Sequence, residues 1–402
     1  MSAAPRHPDD PRDPVPIPDP LAAAEELASG FAANAAERER QGGTAWAERR
    51  RIRDSGLLLL RVPQGYGGIG ADWPTTMLAI RTIARADSSL AHIFAWHHFE
   101  VITPELIGTP AQADRYYRGT AECSWFWGSA FNPQDRRLTA SRRPGGLILN
   151  GPKSFCTGAR GSDMLLVGAV EGDRPGTLAI AVPTARPGVV VNDDWEAMGQ
   201  RQSDSGSISL TDVDASDDEV LAHVGPAPTL RQALRGSISQ LMLANVFVGI
   251  AEGALADARG YTRAETRPWP GSGVARAADE PAIVHHYGEM WVHLRAAACL
   301  ADEAAGRLEE AWERLGSLGP ELVTPVAVAV NAAKVMATQV GLDVTTRTFE
   351  VMGARAATGH YNFDRYWRNL RTLTLHDPVE MKMRSIGRWY LDSQPPAPDV
   401  NT

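Results

Sequence analysis

Apolar and polar positions change their spacing twice along the chain. Through residues 21–120 the apolar positions recur at helical intervals. Residues 21–53 are rich in alanine and charge and break at Gly42-Gly43, residues 75–86 follow Pro74, and residues 88–107 carry a further apolar pattern. From Ser124 to about Val220 the texture becomes short β-like runs, at 147–150, 164–170, 177–182, 189–191 and 207–210. Asn150-Gly151 and Asp173-Arg-Pro-Gly176 are the clearest turns between them. After Pro228 the helical period returns, predicting helices over 231–265, 282–315, 324–352 and 379–391. A 30-residue helix spans about 45 Å, and such rods with short connections pack as an antiparallel bundle. The prediction is a multidomain α+β fold: an N-terminal helical domain (21–122), a central antiparallel β-barrel or sandwich (123–227) and a C-terminal four-helix bundle (228–402). Residues 1–20 hold seven prolines and four aspartates and are expected to be a disordered tail.

Composition narrows the partners. Of 402 residues, 44% are hydrophobic and 22% charged, as in a globular protein of two or three units. A net charge of −8 gives no reason to expect nucleic acid. The basic run Arg49, Arg50, Arg51 and Arg53 has Glu37, Glu39, Glu48 and Asp54 close by and reads as a solvated helix face. Cys123, Cys156 and Cys299 are not spaced as a zinc pair and cannot form a full disulfide framework, which suits a reducing cytoplasm. No apolar run reaches the length of a membrane span, and the start of the chain does not read as a secretion signal.

Gly65-Tyr-Gly67-Gly-Ile-Gly70 matches the spacing of a dinucleotide-binding fingerprint. Pro63 interrupts it from the preceding apolar run, and the next helix begins only near Pro74, too late to place its N-terminus under a pyrophosphate. It reads as a tight glycine loop, which leaves the chain without a nicotinamide site there.

His92, His97 and His98 fall on one predicted helix at spacings of five and six, which do not suit a helical metal pair, and no metal is expected. His97 and His98 read as satisfied buried residues. The segment Phe363-Asp-Arg-Tyr-Trp-Arg-Asn-Leu-Arg-Thr-Leu-Thr-Leu-His376-Asp-Pro378 brings a histidine to the foot of a new helix. Asp377 suits its N-cap and Pro378 its first turn. A histidine there has an ordinary pKa of about 6.5 and serves as donor or acceptor near neutrality.

From about residue 20 onward the chain resembles the acyl-CoA dehydrogenase superfamily. The motifs are Ser89-Leu-Ala-His92, Phe155-Cys-Thr-Gly-Ala-Arg-Gly-Ser-Asp163, Asn192-Asp-Asp-Trp195 with Arg201-Gln-Ser-Asp-Ser-Gly206, Ala244-Asn-Val-Phe-Val-Gly-Ile-Ala251, Thr266-Arg-Pro-Trp269, Gly353-Ala-Arg355 and the His376 segment. They look most like the flavin-dependent monooxygenase branch, of the dibenzothiophene monooxygenase type. That resemblance implies FMN or FAD as reduced co-substrate, O2, oxygen transfer through a C4a-(hydro)peroxyflavin, a separate NAD(P)H-flavin reductase and a homotetramer. It implies a catalytic group of His92, His376, Thr157 and Ser129, and flavin contacts from Phe155, Thr157, Trp195, Ser205, Arg267 and Arg355. The two arginines would hold the flavin phosphate, a role that suits guanidinium geometry.

Trp96, Phe131 and Phe247 are expected in the substrate pocket. Trp96 stands where the relative has tyrosine, Ser129 where it has asparagine and Phe131 where it has serine. The pocket therefore gains aromatic surface, which suits a hydrophobic aromatic substrate oxygenated at sulfur, carbon or nitrogen. The main alternative is an acyl-CoA dehydrogenase or oxidase. Many dehydrogenases of the superfamily carry their catalytic glutamate where this chain has His376, although Glu380 follows one turn later.

Overall fold

The computed structural model describes residues 19–397, so the proline-rich start lies almost wholly outside the described residues. Seven α-helices come first among the described residues: α1 (Pro20–Ala32), α2 (Ala35–Gln41), α3 (Trp46–Asp54), α4 (Trp73–Ala86), α5 (Ser88–Val101), α6 (Thr103–Ile107) and α7 (Pro110–Cys123). Aspartates start several of them. The Asp72 carboxylate accepts from Thr75 N at 2.7 Å, and that of Asp87 from Leu90 N at 3.1 Å. Helix α5 is buried along its whole length, so every side chain it carries meets protein or a cavity.

The glycine loop is a turn. A Cβ on Gly68 would lie 2.1 Å from Val62 O, and the loop folds back onto the segment before it. The basic run is not one solvated face. Arg49 is buried and paired with Asp204, because α3 packs on the β domain rather than facing water.

The middle of the chain forms eight strands: β1 (Trp127–Ala130), β2 (Thr139–Arg143), β3 (Gly146–Lys153), β4 (Met164–Ala169), β5 (Thr177–Pro183), β6 (Val189–Val191), β7 (Ile208–Ser216) and β8 (Val220–Val224). They make two sheets, ordered β1-β4-β5-β8 and β2-β3-β7-β6, around a shared core that includes Leu149, Val167, Ile180 and Val213. The expected all-antiparallel pattern fails at one pair. β1 and β4 are parallel, because the β2–β3 hairpin of the other sheet supplies the long return that a parallel pair needs.

The bundle comprises α8 (Leu230–Ala264), α9 (Pro281–Glu313), α10 (Pro320–Met352) and α12 (Val379–Asp392), with the short α11 (Asp364–Leu373) before the last. Helices α8 and α10 are long and apolar enough to cross a membrane, contrary to the sequence expectation. Their apolar stretches are 89% and 56% buried inside the fold, which accounts for them as core helices. Gly249 and Gly253, one turn apart on α8, let its backbone touch α4. A Cβ there would lie 2.5 Å from Arg81 O and 2.2 Å from Arg85 O respectively.

Candidate active site

A cleft of about 1330 Å³ opens where α5, β1, the β3–β4 and β6–β7 connections, α8 and α12 converge. His92, Trp96, Ser129, Phe131, Phe155, Thr157, Trp195, Ser205 and His376 all line it. These residues are spread over most of the chain, and the fold brings them to one wall-to-wall space.

Helix α5 supplies His92 and Trp96 one turn apart, their rings in edge contact at 4.6 Å. The Trp96 ring in turn lies 6.2 Å from that of His376. The ring nitrogens of His92 and Gln200 Oε1 make no hydrogen bond of good geometry among the described residues, although the Gln200 side chain lies within reach of the ring. Burial pushes the His92 pKa down to about 3, with the nearby His376 and Lys334 adding to the effect. The ring is therefore neutral near pH 7.

His97, one residue beyond Trp96, behaves as the sequence suggested. Trp127 N donates to its Nδ1 at 3.1 Å, which leaves Nε2 to donate to Leu58 O at 2.8 Å. His98 is equally buried; the Leu57 backbone lies within reach of its ring, but no hydrogen bond of good geometry forms.

The opposite wall is a stitched pair of loops. Ser129 N donates to Thr157 O at 2.9 Å, Gly158 N to Ser203 O at 3.0 Å, and Cys156 N to Gly206 O at 2.9 Å. Thr157 Oγ1 and Ser205 Oγ are 3.0 Å apart, and Ser205 Oγ is 2.8 Å from Ser203 Oγ. Phe155 takes a left-handed backbone (φ 57°), which turns its ring outward while Cys156 enters the β core. Burial raises the Cys156 thiol to about 12, so it is inert. Trp195 is fixed by its indole N–H, which donates to Gln200 O at 2.8 Å, and its ring meets that of Phe155 at 6.1 Å.

Three expected site residues lie elsewhere. Phe247 is fully buried in the bundle beneath the Lys334 ammonium, 4.6 Å from its ring. It is two turns past Ser239, where α8 has left the cleft. Arg267 and Arg355 are exposed on adjoining loops, and Arg355 donates to Glu265 O. Those loops follow the far ends of α8 and α10; α8 carries the chain about 40 Å from Arg235. Asp377 does not cap α12, whose N-cap is Pro378. Its carboxylate points inward, 2.6 Å from Lys382 Nζ and 3.7 Å from Lys334 Nζ, and His376 Nδ1 lies 3.1 Å from it.

Sequence reading missed several cationic groups. Arg235 on α8 lines the cleft, its Nε donating to Thr103 Oγ1 at 2.8 Å and its Nη2 to Glu100 Oε2 at 2.9 Å. Phe99 and Phe131 flank its guanidinium at 4.0 and 5.0 Å. Among the described residues Nη1 donates to none. Burial raises the Glu100 pKa against the pull of Arg235. Arg384 and Arg388, one turn apart on α12, line the mouth. Among the described residues no cluster of three His, Cys, Asp or Glu is placed to hold a metal.

The missed signal was compositional. The chain has only three lysines, Lys153, Lys334 and Lys382, against 37 arginines (40 − 3), and all three lysines are at most 2% exposed. Lys153 donates to the carbonyls of Asn132 and Asp135, bracing a loop that lines the cleft.

These residues fit a flavin. They offer aromatic walls, a row of hydroxyls at one edge and buried polar atoms without a well-formed protein hydrogen bond. Comparison with known proteins agrees. Family models for the acyl-CoA dehydrogenase N-terminal, middle and C-terminal domains match residues 21–124, 128–213 and 241–380. A probable FMNH2-dependent monooxygenase, SfnC, of Pseudomonas putida is 46% identical over 379 residues, covering 94% of this chain and 96% of that protein. The dibenzothiophene monooxygenase of Rhodococcus qingshengii is 44% identical over 399 residues, covering 94% and 95%. The solved structure of the methanesulfinate monooxygenase MsuC from Pseudomonas fluorescens superposes with a TM-score of 0.93 at 42% identity, covering 96% of this chain and all of that one. The chain belongs to the acyl-CoA dehydrogenase family, in its branch of flavin-dependent monooxygenases.

Proposed function

We propose that this protein uses reduced FMN from a separate reductase, and O2, to oxygenate sulfur in a small organosulfur compound. The observation that carries the reading is the convergence of His92, His376, Thr157 and Ser129 on one cleft walled by aromatic rings. Bound reduced flavin would supply the electrons and activate oxygen. Overall, a sulfide, O2 and FMNH2 become a sulfoxide, water and FMN. Trp195 and Phe155 would cover the flavin, and the Thr157–Ser205 hydroxyl pair would bond its edge. Neutral His92 would hold a hydrogen bond without adding charge, and His376 would give or take the proton that the balance requires. Trp96, Phe99 and Phe131 wall the space beside the Arg235 guanidinium with rings, which limits access of water.

Arg267 and Arg355 lie outside the cleft of their own chain, so a contact with flavin phosphate requires a second copy, as in the homotetramer that the resemblance implied. The alternative reading, acyl-CoA oxidation, is disfavoured because the position of the dehydrogenase base carries His376.

Arg235 favours a narrower substrate. A buried guanidinium with one N–H group directed to no protein acceptor suits a sulfur compound that carries an oxyanion. Methanesulfinate, the substrate named for the MsuC relative, has that chemistry; with O2 and FMNH2 it would give methanesulfonate, water and FMN. The test is single-turnover reaction of anaerobically reduced, FMN-loaded protein with 18O2 and either dibenzothiophene or methanesulfinate. One 18O atom in a sulfoxide supports the aromatic form of the reading, and one in a sulfonate supports the oxyanion form. No labelled product from either, together with bleaching of oxidised bound FMN by an acyl-CoA, would replace both with the dehydrogenase reading.

A further inference from the structure

The strongest unassigned feature is the charged cluster behind His376. Lys334 comes from α10 and Lys382 from α12, and each side chain is 2% exposed. Between them lies Asp377, 11% exposed. Burying three charges is costly unless they are closely paired, and a chain that uses arginine almost everywhere else keeps lysine here. A compact ammonium fits a space beside a carboxylate that a planar guanidinium would overfill.

The cluster has one outlet toward the cleft. His376 Nδ1 lies 3.1 Å from Asp377 Oδ1. An ionised carboxylate only accepts, so the proton of that bond belongs to His376 Nδ1. Burial alone would raise the Asp377 carboxyl, but the His376 hydrogen bond and the two ammonium groups outweigh it and hold the group well below the usual carboxylate range. Burial also lowers Lys334 to about 7, against the attraction of Asp377.

We propose that Asp377, clamped between Lys334 and Lys382, is the positioning residue that fixes His376 as the Nδ1–H tautomer, so that Nε2 is the atom presented to the cleft as proton acceptor and carrier. Trp96 from α5 limits the ring from the other side, and His92, also from α5, is a further titratable group near it. The use of His376 in turnover rests on the oxygenase reading. The tautomer does not.

The first measurement is 15N NMR of histidine-labelled protein, with His376→Gln used to assign its signals. At neutral pH the expected state is a protonated Nδ1 and a bare Nε2. Asp377→Asn is expected to move His376 toward the other tautomer. Because that variant leaves two buried ammonium groups without their carboxylate, it is paired with Asp377→Asn/Lys334→Met, which restores the net charge of the cluster.

The double variant is expected to regain stability but not the tautomer. With dibenzothiophene as probe substrate it should lose kcat by about 100-fold or more, at nearly unchanged KM, with reduced FMN diverted to hydrogen peroxide. A bare Nδ1 in the wild type overturns the proposal. So does a double variant that keeps the wild-type tautomer, or one whose full activity returns along with its fold. If no tested sulfur compound is oxygenated by the wild type, the oxygenase reading fails while the NMR result still decides the tautomer.

Discussion

Arg49 Nη1 lies 2.7 Å from Asp204 Oδ2, with both side chains nearly excluded from water. Arg49 Nη2 also donates to Gly158 O at 3.1 Å, and Thr44 Oγ1 donates to Asp204 Oδ1 at 2.8 Å. A single arginine of the N-terminal domain thus reaches both loops that carry Thr157 and Ser205. Arg49→Met leaves Asp204 buried without its partner and should cost about 3–5 kcal/mol in denaturant unfolding. Arg49→Met/Asp204→Leu should recover most of that loss. FMN affinity should remain impaired in the double variant, because Gly158 O still lacks its donor.

Gly128 on β1 faces the same loop. A Cβ there would lie 2.9 Å from Gly158 O and from Ala159 Cα, both backbone atoms that cannot swing aside. Gly128→Ala should therefore cost about 1–3 kcal/mol by overpacking and displace Thr157 from Ser205. The check is thermal unfolding together with FMN titration by quenching of flavin fluorescence, and unchanged affinity would show that the loop tolerates the shift.

The buried histidines of α5 set the acid limit. Burial lowers His92 to about 3 and His97 to about 4, while both titrate at about 6.5 in the unfolded chain. As pH falls below about 6.5 the unfolded state takes up protons that the folded state refuses, so stability is full above that pH and declines toward pH 4. Each unit of pH removes about 1.4 kcal/mol per histidine in that window. Urea unfolding at neutral pH and at about pH 5 measures the slope. His97→Gln should flatten it, and an unchanged slope would assign the acid sensitivity to other groups.

Two arginine pairs are candidates for the flavin phosphate. Arg384 and Arg388 line the cleft of their own chain, whereas Arg267 and Arg355 lie outside it and would reach a cleft only from a second copy. Arg267→Ala/Arg355→Ala should weaken FMN binding at least about tenfold if the pair supplies charge-assisted bonds to phosphate. It should leave riboflavin binding nearly unchanged, since riboflavin lacks the phosphate. A loss confined to Arg384→Ala/Arg388→Ala would transfer the role to α12.

The domain order, the long helices and most of the cleft lining were legible in the sequence because each has a local signal or a motif. Thr229 and Gln232 cap α8 within three residues of each other, and the 3.6-residue period does the rest. The parallel pairing of β1 with β4 was not legible, because register between distant strands leaves no mark on either one alone. Asp377 was misread for a related reason. Its position before Pro378 suits a cap, and only the arrival of Lys334 and Lys382 from two other helices makes the inward rotamer the better one. Arg235 went unnoticed because a lone charge in an apolar helix gains its meaning from Glu100 and Thr103, more than 130 positions away.

Helix α8 divides its labour by length. Its first turns present Arg235 and Ser239 to the cleft, while Gly249 and Gly253 further along press its backbone onto α4. The glycine contact sets where the rod stands, and the early turns decide only what it shows. New side chains at 235 and 239 can therefore be tried without the helix sliding. A lineage could alter what the cleft accepts by changing that single helical turn together with the Glu100 partner of Arg235, with the His92 and Thr157 walls left as they were.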